Sequence, residues 1–138
     1  MCLSNSEKIK TEEDITVYKT FCKIQTEQVC YYYTPFMGYP WDMGELKSIE
    51  KRCPHYEYND NSRIGGDAFH SFKDKEGALA LKEYLISVLG YVDNTTYCVC
   101  KCVIPKDTLY VYKGLSDVAI NRKADSYASH DLQLIEEI

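Results

Sequence analysis

The chain predicts an α+β fold: a mainly antiparallel, curved sheet of about six or seven strands packed by one principal helix, residues 74–89. Three observations lead there. Ala78, Leu81, Leu85, Val88 and Leu89 recur at intervals of three and four, the spacing of one buried helical stripe. Residues 14–24 and 96–104 are rich in β-branched, aromatic and cysteine side chains that alternate as strands do. Gly, Pro and Asx clusters punctuate the intervals between them.

The helix explains itself residue by residue. Asp74 stands where a side-chain oxygen can cap free backbone N–H groups, and Glu76 places negative charge in the first turn. Lys75, Lys82 and Glu83 fall away from the stripe, and Gly90 suits a left-handed C-terminal cap. Ahead of it, residues 68–72 alternate as a short strand, with Ala68, His70 and Phe72 on one side and Phe69 and Ser71 on the other. Behind it, residues 93–95 turn into the strand 96–104. Pro105 then interrupts the ladder for want of an N–H, and residues 109–113 resume as a strand ending at Gly114.

The remainder is read with less regularity. Residues 1–13 form a flexible lead-in. The first strand, 14–24, carries Ile15, Val17, Lys19 and Phe21 on one side, with 26–33 as its hairpin partner. Residues 35–52 mix Gly38, Pro40 and Gly44 with Phe36, Tyr39 and Trp41, the composition of a long loop pinned by its rings. Leu46 to Ile49 fits a short strand or a helical turn. Residues 53–67 form the polar, mobile loop, and two late strands follow near 118–120 and 132–138.

With 138 residues, the chain is one domain's worth and long enough to bury a core without staples. It holds no apolar run near 18 residues, so no membrane helix is expected. Residues 1–14 lack the apolar stretch of a signal peptide, and a cytoplasmic protein with reduced thiols is expected. A formal charge of −5 with scattered lysines and arginines argues against duplex nucleic acid as a partner. Seven cysteines and thirteen tyrosines are the compositional oddities.

Cys98, Cys100 and Cys102 share one side of one strand. Zinc sites pair their ligands around tight turns, so even with Cys53 and His55 nearby in sequence the cysteines read as core filling, and no cofactor is expected. Neighbours at i and i+2 stand about 7 Å apart, which argues against a disulfide along the strand. Cys2, after Met1, lacks a strand to hold it as a nucleophile. The ligand-binding candidates are Arg63 before Gly65 and Gly66, His70, Lys19, and the rings of Tyr39 and Trp41, which can stack on a base.

In order along the chain, Val17-Tyr18-Lys19, Pro35-Phe36 with Tyr39 and Gly44-Glu45-Leu46, Phe69-His70-Ser71-Phe72, Ile104-Pro105-Lys106 and Tyr127-Ala128-Ser129 resemble a family of small uncharacterised bacteriophage and mobile-element proteins. The resemblance implies a non-catalytic accessory protein of the host cytoplasm. It would engage a host protein or sequester a small, nucleotide-like ligand to counter host defence, with self-association left open. A second pattern is similar to ADP-ribosyltransferase-like folds using NAD. It implies Tyr18, Lys19, Ser71 and Glu136 or Glu137 as carry-overs, the hydroxyl and ring holding the nicotinamide ribose and the glutamate stabilising developing positive charge.

Overall fold

In the computed structural model the described residues are 9–35, 40–48, 68–90, 95–119 and 122–138. They build one helix and a mostly antiparallel sheet, the α+β arrangement expected. The strands are β1 (Ile9–Lys10), β2 (Ile15–Gln25), β3 (Cys30–Tyr33), β4 (Pro40–Trp41), β5 (Leu46–Ser48) and β6 (Phe69–Phe72). After the helix α1 (Lys75–Leu89) come β7 (Thr95–Ile104), β8 (Leu109–Ala119), β9 (Arg122–Ser129) and β10 (Asp131–Glu137). The sheet runs β1-β8-β9-β6-β2-β7-β10-β5, with β3 and β4 added beside the far half of β2. Among the described residues ten strands replace the six or seven expected, because three of the extra ones are only two or three residues long.

β2 and β7 are the spine. Ten consecutive register pairs join them, from Ile15↔Ile104 to Ile24↔Thr95. Alternation then divides their side chains between two apolar layers. Val17, Phe21, Cys98, Cys100, Cys102 and Ile104 enter the larger one, with Trp41, Phe69, Leu132 and Leu134. Phe72, Ala78 and Val99 form the smaller one, against Tyr18, Leu79, Ala80, Leu81 and Ala124. The helix thus covers the smaller layer. The cysteines fill the other side, under Trp41, whose ring meets Phe21 at 5.6 Å and Phe69 at 4.9 Å.

Several local expectations are corrected. Val88 and Leu89 are 58% and 57% exposed, so only the first three turns of the stripe are used, with Gly77, Ala78 and Leu85 buried. Asp74 occupies the N-cap in extended conformation, but its side chain makes no capping bond; its carbonyl accepts from Gly77 N–H at 3.2 Å instead. A buried hydroxyl does the anchoring, Thr20 Oγ1 donating to the carbonyl of Ala78 at 2.6 Å. Gly90 has a positive φ, 68°, but its ψ of −163° lies outside the left-handed helical region expected of it, and its N–H closes on the carbonyl of Ile86 at 3.0 Å.

β8 does not stop at Gly114. A register shift between Tyr112 and Gly114 absorbs the glycine and the strand runs on to Ala119. Ile9 and Lys10, placed in the lead-in, pair with Tyr110 and Leu109. Thr11 fastens that strand: its hydroxyl donates to the carbonyl of Pro105 at 2.6 Å and accepts from Thr108 N–H at 2.9 Å. The hairpin after β2 turns over 26–29, where Thr26 N–H meets the carbonyl of Val29 at 2.8 Å, leaving only Cys30–Tyr33 as partner. Leu46–Ser48 is a strand rather than a helical turn. The expected mobile loop 53–67 lies outside the described residues.

Candidate functional site

Polar side chains that the apolar layers do not explain gather at the seam between β2 and β6. Tyr18 pairs with Phe72 there, and the residues next to each on the strand, Lys19 and Ser71, alternate to the other side. Lys19 therefore stands among Val17, Phe21 and the cysteines, opposite Cys100 in register. A β-branched or aromatic residue would be ordinary at that position; a lysine needs a partner. It finds one in the backbone of β6, Nζ donating to the carbonyl oxygen of His70 at 2.5 Å.

Burial pulls the Lys19 ammonium down from its ordinary 10.5 to about 8, Cys102 partly opposing the shift. His70 is held down harder, from 6.5 to about 3, by burial first and by the Lys19 charge second. It is a neutral imidazole at physiological pH, with one nitrogen donating and the other accepting. Among the described residues neither ring nitrogen has a hydrogen-bond partner, and neither does the hydroxyl of Ser71, which is 1% exposed. Among the described residues four buried side-chain polar atoms lack partners, and three of them belong to these two consecutive residues. Each such atom costs about 1–3 kcal/mol of desolvation, so their clustering calls for an explanation.

The arrangement suits recognition better than proton transfer. A histidine at about 3 is a weak base, and the thiols beside it are raised rather than activated. Cys102 is pushed up to about 12 chiefly by burial, and Cys98 well up by its contact with Cys100 and then by burial. What the seam presents is one cation and one neutral donor–acceptor ring, while alternation sends the Ser71 hydroxyl to the opposite side of β6 from that ring.

The other sequence candidates are dispersed. Arg63 and Tyr39 lie outside the described residues. Trp41 is corrected from ligand platform to core: it is 2% exposed, and its Nε1 donates to the carbonyl of Glu45 at 2.9 Å. The transferase-like set is not brought together. Tyr18 packs on the helix side beside Phe72, whereas Ser71 takes the alternate side of the same strand. Glu136 is exposed on β10; register places it beside Lys101, which in turn faces Tyr18, so β7 separates the two by about 10 Å.

Two features were not legible in the sequence. Glu137 pairs with Lys23 at 2.9 Å across β7, and Lys23 also lies over the Tyr32 ring at 5.9 Å. The sulfurs of Cys98 and Cys100 approach to 3.9 Å, nearer than their spacing along an ideal strand would place them, and both thiols are free. Alternation puts the two cysteines on one side but says nothing of the rotamers that turn one sulfur toward the other. Among the described residues no three His, Cys, Asp or Glu side chains converge as a metal site, and no helix is long and apolar enough to cross a membrane. No family model, curated protein or solved structure matches the chain.

Proposed function

We propose that this chain is a non-catalytic binding protein that sequesters a small, anionic, nucleotide-like ligand at the β2–β6 seam. One observation carries the reading: among the described residues His70 Nδ1 and Nε2 are buried without partners, near enough to Lys19 for its charge to oppose protonation of the ring. A fold keeps unsatisfied polar atoms at a cost, and a ligand that supplies their partners returns it. An anion with donor and acceptor edges matches a cation and a neutral imidazole. The setting we propose is a phage or mobile element acting in the host cytoplasm, where removing a signalling nucleotide blunts host defence. That part rests on the resemblance of the Phe69-His70-Ser71-Phe72 and Ile104-Pro105-Lys106 segments.

The test is a thermal-unfolding screen against mono-, di- and cyclic nucleotides, backed by native mass spectrometry of freshly purified protein. A ligand at about 100 times its Kd adds roughly 2.7 kcal/mol, a rise of several degrees in Tm for a domain of this size. Lys19→Met and His70→Phe remove that rise. A flat screen, with no small molecule carried through purification, overturns the reading, and recovery of one stoichiometric host protein in its place assigns the function to protein engagement.

A further inference from the structure

We propose that Cys98 and Cys100 form a two-sulfur site for copper(I). Their sulfurs stand 3.9 Å apart within β7 and both thiols are free. Two thiolates at that separation can close on one ion with little movement. Zinc is a poor match, since it asks for four ligands and no third metal-binding side chain converges here among the described residues. Copper(I) is a soft, filled-shell ion drawn to thiolate, and two sulfurs satisfy it.

The surroundings fit the charge. Binding replaces two S–H bonds with two Cu–S bonds, releases two protons to solvent and leaves the copper oxidation state unchanged. The product, one Cu⁺ between two thiolates, carries a net charge of −1. Buried in an apolar layer, such a charge needs a nearby cation. Register places one in the same layer: the residue facing Cys100 on β2 is Lys19, its ammonium bonded to the His70 carbonyl on β6, and the residue facing Cys98 is Phe21.

There is also a way in. Cys100 is fully buried, but Cys98 retains 8% exposure at the rim and lies within reach of the Glu137 carboxylate, which pairs with Lys23 at the surface. Glu137 can attract a cation and accept the proton that Cys98 gives up. Cys102, further along the same side, turns its sulfur toward the carbonyl of Cys100, away from a shared ion.

The experiment is an anaerobic competition for copper(I) between the fully reduced chain and a chromophoric chelator such as bicinchoninate. The expected result is one copper retained per chain. The variant C98A/C100A should bind at least ~100-fold more weakly, since loss of ligands exceeds the 10–100-fold effect of losing their supports. C102A, equally buried, and C22S/C30S, nearer the surface, should retain the ion. Copper-edge X-ray absorption on the unmodified chain gives an answer that does not depend on how the variants fold, and should show sulfur neighbours alone. Complete surrender of copper to the chelator, retention by C98A/C100A equal to that of the parent, or nitrogen and oxygen neighbours around the copper would each overturn the proposal.

Discussion

The Lys19 ammonium donates to the backbone carbonyl of His70, bridging the seam where β2 meets β6. This single bond ties a buried charge to a strand that shares only one register pair with β2, Tyr18↔Phe72. Both side chains titrate well below their ordinary values. The cation lies close enough to the imidazole to oppose its protonation, and burial disfavours both charged forms.

Lys19 should therefore leave a signature at alkaline pH. Its folded pKa, about 8, lies below the ordinary 10.5 of the unfolded chain. Between those values the unfolded state holds more protons, so this group makes the fold more stable as pH rises through the window. At about 1.36 kcal/mol per pH unit the parent gains roughly 3 kcal/mol relative to Lys19→Met between pH 8 and 10.5. Buried thiols with raised pKa act in the opposite direction in both proteins, and loss of the Lys19 charge lets Cys102 rise further, so the difference reports the lysine together with that smaller change. Urea unfolding of each at pH 7, 9 and 10.5 measures it; parallel profiles would refute the assignment.

His70 governs the acid limb. Its folded pKa of about 3 lies below the usual 6.5, so the unfolded chain takes up a proton that the folded chain refuses. Stability from this group is complete above pH 6.5 and drains away as pH falls toward 3, by roughly 3–5 kcal/mol over the whole span. His70→Phe, which keeps a flat ring and discards both unpartnered nitrogens, should be at least as stable as the parent at pH 7 and lose less between pH 6.5 and 4. Denaturant midpoints of the two proteins across that range decide the matter.

Gly77 is the helix residue that cannot be improved. Alanine in a helix interior ordinarily gains about 0.5–1 kcal/mol over glycine. Here an added Cβ would meet Ala124 Cβ at 2.8 Å and the Phe72 ring at 3.0 Å. Neither neighbour can retreat easily, because Phe72 is buried and Ala124 belongs to the paired strand β9. The overpacking cost of about 1–3 kcal/mol wins. Gly77→Ala should lower Tm by several degrees, and thermal melts by circular dichroism will show whether it does.

The contrast between helix and sheet shows which physics a sequence carries. The stripe through Ala78 and Leu85 was legible because helical periodicity is local. How far the sheet extends beneath it was not, so Val88 and Leu89 were expected to be buried and are exposed. Alternation placed Lys19 on the Phe21 side of its strand, and it stands there. Its acceptor, the His70 carbonyl, depends on which strand lies alongside β2, a non-local choice that no spacing encodes. Gly114 punctuates the sequence, yet a register shift lets β8 run through it, since the ladder on either side outweighs one glycine.

Trp41 belongs to the core and not to the proposed ligand site. The ring is buried edge-on against Phe21 and Phe69 and holds the loop carbonyl of Glu45, so it acts as the lid of the cysteine layer. Trp41→Ala should cost about 3–5 kcal/mol by opening a cavity there. Trp41→Phe keeps most of the apolar contact and loses one hydrogen bond, worth about 1 kcal/mol. As the chain's single tryptophan, it should also emit at short wavelength and resist quenching by iodide while folded. The Phe variant should keep ligand binding where Lys19→Met loses it, since the ring stacks on core residues and leaves the polar seam intact. Titration calorimetry on the three variants makes the comparison, and loss of binding in Trp41→Phe with stability retained would return the tryptophan to the ligand.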